Sequence, residues 1–261
     1  MAGLRILVCV KRVPAPGAQI TLTADARAVD ARNLAFTTSP HEECAVEEAL
    51  RLVEAHDGDI TVLTVGPAAA EEQLRFSLSV GAQHAVLVTN DGVGAGADPD
   101  PQATARAITD AVRALEAEHG TFDLLLFGNE SADSGGFQVG IRVARALGRP
   151  VVNGIKAISI ADGELTARRE ADAGFEVYRM ALPAVIGVKE GINLPRYPTL
   201  PGRLRSKKAE VRTMLESAPV GGLTMLRFET PVIEATETVL LGTGADAAGA
   251  VVDLLTELGL A

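Results

Sequence analysis

The sequence predicts an α/β protein built on a doubly wound, mainly parallel sheet with a C-terminal arm. Three observations carry that expectation. Apolar runs alternate with amphipathic stretches four times over about 150 residues, as strand and helix do in a parallel sheet. The apolar runs are continuous, which suits strands buried on both faces. The pattern then turns β-rich around Asp162-Gly163, a hairpin signal.

In chain order, "LRILVCV" (Leu4 to Val10) reads as a central strand. In the helical stretch after it, Ser39 is in position to cap, Pro40 opens the first turn and acids follow. Ala45, Val46, Ala49, Leu52 and Val53 have helical spacing, so that helix runs to His56. Strand "DITVLTVGP", helix "AAEEQLRFSLSVG" and strand "HAVLVTN" come next, then a helix from about Asp100 to His119. Strand "FDLLLFGN" ends at Asn129, and a helix within "GGFQVGIRVARALG" ends at Gly148. An antiparallel pair and one more core strand, "PAVIGVK", complete the domain, assigned to residues 1–210. Two segments look unlike a compact core: Asp91 to Pro101, and the tail, residues 211–261, with a strand-like "TMLRFET" and a helix from about Asp246 to Leu258. The apolar residues Val251, Leu254, Leu255 and Leu258 give that last helix a face suited to a partner.

Composition narrows the function. Hydrophobic residues make up 47% of 261, but aromatics only 3% and Trp is absent, so the core is Leu, Val and Ala. A formal net charge of −10 argues against nucleic acid as the main partner. No apolar run approaches the roughly 18 residues of a membrane span, so no membrane insertion is expected. The opening "MAGLRILVCV" has an Arg in its apolar run and no cleavage site, and reads as a strand rather than a signal peptide. Cys9 and Cys44 are too few for a disulfide framework and suit a reduced, cytoplasmic setting.

In an open α/β sheet, ligands bind beyond the carboxyl ends of the strands. Here those ends are Cys9 to Arg12, Val65 to Pro67 and Gly128 to Gly136, with Ser39 nearby at a helix start. "GNESADSGGFQ" is rich in Gly and small polar residues, and its amides suit a phosphate. It suits an ordinary strand-to-helix turn as well. It is neither a GxGxxG nor a Walker loop. The four histidines form no HExxH and no Cys–His nucleophile pair. His41 and Cys44 share a helix face but lack further ligands, so no metal is expected. Glu47 and Glu48 read as a solvated helix face. No nucleophile stands beside a base, so no catalytic residue is nominated.

"LPRYPTLPGRLRSKK" (Leu194 to Lys208) holds three prolines and five basic residues without an acid. Proline stiffening lowers the entropy lost on docking. Leu200 reads as an apolar anchor, with Arg203, Arg205, Lys207 and Lys208 as a steering skirt. A surface crossing with a solvated basic turn is the plainer alternative.

Together these segments resemble the beta subunit of electron transfer flavoproteins. The likeness runs in order through "LRILVCVKRVP", "SPHEECAVEEALRL", "TVGPA", "GNESADSGG", "GFEVYRMALPAVIGV" and "INLPRYPTLPGRLRSKK". The last is the most specific: Asn193, Pro195, Arg196, Tyr197 and Leu200, then Lys207 and Lys208. The resemblance implies an adenine-nucleotide α-hydrolase-like fold and an αβ heterodimer whose alpha subunit holds the redox FAD. In this subunit it implies a structural AMP, or a second FAD, near Cys9, Lys11, Ser39, Val65, Gly66, Gly128, Asp133, Ser134, Gly135, Gly136, Gln138 and Val139. It implies docking of flavin dehydrogenases, such as acyl-CoA dehydrogenase, through Tyr197, Leu200, Pro201, Arg205, Lys207 and Lys208, with electrons passing to a downstream quinone oxidoreductase. It implies an arm that wraps the alpha subunit. The family's Asn-Pro reads Ser39-Pro40 here, and its loop-ending Thr is Val139. Two other readings stay open: a stand-alone adenine-nucleotide-binding protein of universal-stress type, and a small α/β hydrolase, for which no nucleophile is available.

Overall fold

The computed structural model describes residues 3–89, 100–215, 222–232 and 238–260. The chain divides into two compact units, Met1–Phe228 and Glu229–Ala261.

The first unit begins with β1 (Leu4–Cys9) and a short antiparallel pair, β2 (Val13–Pro14) and β3 (Phe36–Thr37). Next are α1 (Pro40–His56), β4 (Gly58–Gly66), α2 (Glu71–Val80), β5 (His84–Thr89) and α3 (Pro101–His119). Then come β6 (Leu124–Gly128), α4 (Val139–Leu147), β7 (Val151–Ala161), β8 (Glu164–Ala171), β9 (Gly174–Ala181) and β10 (Ala184–Val188). The unit's last elements are α5 (Leu200–Lys208) and β11 (Arg212–Leu215). Nine strands form one sheet in the order β11-β5-β4-β1-β6-β10-β7-β8-β9. Pairing is parallel from β11 to β7 and antiparallel from β7 to β9.

Strand alternation sorts the core into two layers. Ile6 and Val8 of β1 pack with Ala45 and Ala49 of α1 and Leu74 and Leu78 of α2 on one face. Leu7 packs with Ile108 and Val112 of α3 and Val143 of α4 on the other. The doubly wound, mainly parallel sheet read from the apolar runs is what the chain forms.

Several elements differ from expectation. The hairpin is a three-strand meander, because β9 adds to β8 along its full length. The segment Thr224–Thr230, expected as a strand, has no regular secondary structure; β11, earlier in the tail, pairs with β5 instead. The boundary read at 210 thus lies before a strand of the main sheet. Asp91 to Pro99 lie outside the described residues, while Pro101 opens α3 behind an Asp100 cap on the Ala103 amide. The helix expected from the glycines at 135–136 starts only at Val139, leaving a loop, 129–138, after β6. Residues 200–208, read as a basic turn, form α5, with the Thr199 hydroxyl capping the Gly202 amide at 3.1 Å.

In the second unit α6 (Ala248–Glu257) follows a 3-10 turn, Gly244–Ala247. Its Val251, Leu254 and Leu255 are 40%, 39% and 37% exposed. Among the described residues no helix is long and apolar enough to cross a membrane.

Candidate functional site: a crevice at the strand switch and an exposed apolar surface

β1 and β6 lie side by side and parallel, Ile6 opposite Leu124 and Val8 opposite Leu126. From β1 the chain leads to α1 on one face, and from β6 to α4 on the other. Connections diverging from adjacent strands leave a crevice beyond their carboxyl ends, where ligands of this fold class bind.

Two loops meet across that crevice. The Lys11 ammonium, after β1, lies 2.6 Å from the Asp133 carboxylate, after β6. Asp133 Oδ1 also accepts the Ser134 amide at 2.8 Å. Burial pushes the Asp133 carboxyl up, but the hydrogen bond and charge of Lys11, with Ser131 and Ser134, outweigh it and hold it below its ordinary range. Ser131 and Ser134 share a hydroxyl hydrogen bond of 2.8 Å, and the Gly135 amide donates to the Ser131 carbonyl at 3.0 Å. Gly135 sits at φ +53°, where glycine is favoured. At Gly136 a Cβ would meet nothing within 4 Å. Of the amides of Ser134, Gly135 and Gly136, only that of Gly136 has no partner among the described contacts. The two loops thus bring together an ammonium and an amide that already hold an anion, a donor set that fits a phosphate.

The start of α1 closes the crevice from beneath. Gly128 permits this: a Cβ there would lie 2.6 Å from Glu42 Cγ and 3.2 Å from His41 Cβ. Ser39 stands at the N-cap but makes no side-chain cap; its hydroxyl donates to the Glu130 carbonyl at 3.4 Å. His41 Nδ1 accepts the Glu190 amide at 2.8 Å, and Nε2 faces Glu130 Oε1 at 3.3 Å, so the proton is on Nε2. Cys9 is buried at the end of β1, and burial, with Glu42 adding to it, pushes its thiol well above its ordinary value. Gln138 precedes α4 and bonds Arg142 at 2.9 Å, with Val139 next in the helix. Val65 and Gly66 end β4, the strand flanking β1, and no described contact joins them to the Lys11–Asp133 pair.

The residue that sequence reasoning missed is Glu42. Its carboxyl is buried and accepts the Lys11 amide at 2.8 Å. Burial pushes it up to about 8, against the pull of the Lys11 and Ser39 amides. A signal existed: Ser39-x-x-Glu42 has capping-box spacing, in which the acid reaches back to the N-cap amide.

The Leu194–Lys208 stretch is mounted on α1 and α2. Glu47 and Glu48, expected as a solvated face, are instead buried beneath it. Arg196 Nε bonds Glu47 at 2.8 Å and its Nη1 bonds Glu54 at 2.6 Å, while Asn193 bonds Glu48 at 2.9 Å. The Glu47 and Glu48 carboxylates leave water because an arginine and an amide take its place, while Glu54 stays exposed. Arg75 donates to the Ser206 and Ala209 carbonyls, tying α2 to α5. Arg205 donates to the Leu78 carbonyl at 3.3 Å and so braces α5 on α2. Standing out from this base are Leu194, Tyr197, Leu200 and Leu204, which are 84%, 91%, 72% and 56% exposed. Lys207 and Lys208 are exposed at the end of α5. Leu204, one helical turn beyond Leu200, joins the apolar surface only because the segment is helical.

A family model described as an electron transfer flavoprotein domain matches residues 28–219. An electron transfer flavoprotein subunit beta of Syntrophomonas wolfei subsp. wolfei is 36% identical over 234 residues, 89% of this chain and 88% of the relative. The chain belongs to the electron transfer flavoprotein beta subunit family. A subunit beta of Mycobacterium bovis is 37% identical over 243 residues, covering 91% of this chain and 87% of its own. The protein FixA of Rhizobium meliloti is 33% identical over 211 residues, 80% of this chain and 71% of the relative. Membership ties the chain to flavin-linked electron transfer.

Proposed function

We propose that the chain is the beta half of a heterodimeric electron transfer flavoprotein in the cytoplasm. It takes electrons from flavin dehydrogenases, such as an acyl-CoA dehydrogenase, and passes them toward a quinone oxidoreductase. The redox FAD belongs to the alpha partner, and this subunit holds AMP, or a second FAD, in the crevice between β1 and β6. Lys11, the amides of residues 134–136 and the α1 start hold and orient that nucleotide. The chain performs no covalent chemistry of its own: its thiol at Cys9 is buried and kept protonated. The second unit, with the apolar residues of α6, covers part of the alpha partner. A chain ending at Phe228 should keep its sheet yet lose the partner in co-purification; a stable heterodimer would remove this role from the arm.

The observation that carries the docking reading is the exposed apolar group of Leu194, Tyr197, Leu200 and Leu204 on a hydrogen-bonded base. Large apolar side chains on a rigid support with cations at the rim suit a protein anchor. Burying one Leu contributes roughly 1.5–3 kcal/mol, about tenfold to a hundredfold in affinity. Leu200→Ala should therefore slow reduction by the dehydrogenase while flavin content and heterodimer stability hold. Lys207→Glu with Lys208→Glu should slow association and blunt its salt dependence, since rim charges set encounter. Reduction kinetics across ionic strength separate the two; an unchanged rate for Leu200→Ala at sub-saturating carrier would return the segment to a surface crossing.

A further inference from the structure

We propose that Asp133 is an internal stand-in for the nucleotide phosphate, so that binding in the crevice is an exchange of one anion for another. The inference rests on the nucleotide reading above and names the residue that sets its affinity for phosphate. Lys11 reaches across from the other loop and meets the Asp133 carboxylate at 2.6 Å. The second Asp133 oxygen takes the Ser134 amide at 2.8 Å. An ammonium and a loop amide are the donors a phosphate in this crevice would use. Both donate to Asp133, and the Gly135 amide is engaged by Ser131.

The surroundings penalise a phosphate that leaves Asp133 in place. Glu130, in the same loop, lies 3.3 Å from His41, and its second oxygen comes 3.7 Å from where a Gly135 Cβ would stand. A phosphate that arrives while Asp133 stays meets like charge with no free ammonium, an arrangement that costs affinity. A phosphate that displaces Asp133 gains Lys11, the Ser134 amide and the open ground at Gly136. The Lys11 and Asp133 side chains are 33% and 22% exposed, so the carboxylate can turn out to water at modest cost. The site therefore discriminates only modestly between adenosine and AMP, because the Lys11 and Ser134 contacts of a phosphate replace ones already made and only the Gly136 amide is new.

The test is calorimetric titration of the purified full-length chain, extracted until denatured samples release no adenine nucleotide. Adenosine and AMP are titrated into the parent, Asp133→Asn and Asp133→Ser, with thermal melts confirming that each is folded. Both substitutions remove the competing charge, and the second also removes most of the side chain. AMP should bind the variants about tenfold or more tightly than it binds the parent, while adenosine changes less than about twofold. Equal AMP affinity in parent and variants would overturn the exchange and leave the nucleotide reading standing. Weaker AMP binding in both variants would also overturn it, making Asp133 a residue that positions Lys11 for the phosphate. Neither ligand binding any of the three chains would overturn the nucleotide reading and the exchange with it.

Discussion

A Glu42→Gln chain should be more stable than the parent at pH 8.5, and the gap should close as pH falls toward 5. Glu42 is buried and its carboxyl is pushed up to about 8 from an ordinary 4.5. Between those two values the folded chain binds a proton that the unfolded chain has released, so stability falls as pH rises through the window. The favourable contribution is complete below about 4.5 and lost above about 8. Glutamine is neutral throughout and keeps an acceptor for the Lys11 amide, so its curve lacks this slope. A shift of this size corresponds to a gap on the order of 3–5 kcal/mol at the alkaline end. Glu43 and Glu48 are also raised by burial, but both chains contain them, and the difference curve isolates Glu42. Denaturant midpoints at pH 5, 7 and 8.5 would show it; parallel curves for the two chains would mean that Glu42 is ionised in the folded state.

Gly202→Val should cut reduction by the dehydrogenase at least about tenfold, the equivalent of one well-buried anchor. The α5 backbone approaches α2 so closely that a Cβ at Gly202 would lie 2.2 Å from the Ser79 carbonyl oxygen. That neighbour is backbone, so α5 itself must move. Overpacking of this kind costs about 1–3 kcal/mol, too little to unfold a nine-stranded sheet. The displacement carries Leu200 and Leu204 with the helix, and it strains the Arg75 and Arg205 bonds that hold α5 to α2. Melting temperature and reduction rate should therefore separate, with a small loss in the first and a large one in the second. A folded variant that accepts electrons at the parent rate would show that the seat of α5 does not set the docking surface.

The strands were legible because burial on two faces is written locally: "LRILVCV" needs no partner to declare itself apolar, and β1 is the middle of the parallel array. The crevice was legible too, once the strand ends were counted, and Lys11 and Asp133 both lie there. Residues 200–208 were misread because the prolines at 195, 198 and 201 suggest a loop, whereas Pro201 occupies a helix's first turn, where its missing N–H does no harm. The strand expected in "TMLRFET" failed for a related reason. Its apolar residues suit a strand, but β5 had its free edge taken by β11, whose "RTML" is scarcely more apolar.

The carboxylates were beyond any local reading. Glu47 and Glu48 carry the charge of a solvated helix face, and nothing within α1 contradicts that. Their burial is decided by Arg196 and Asn193, 149 and 145 positions away in the chain. Glu42 is decided in the same way, by the end of β6 settling on α1 at Gly128. The sequence by itself determined the layers and the strand ends, because hydrophobic burial follows from the local pattern of side chains. Only the tertiary structure decided which charges are buried, which cations brace the fold and which anion Lys11 holds, because a charge leaves water only where a distant group takes water's place.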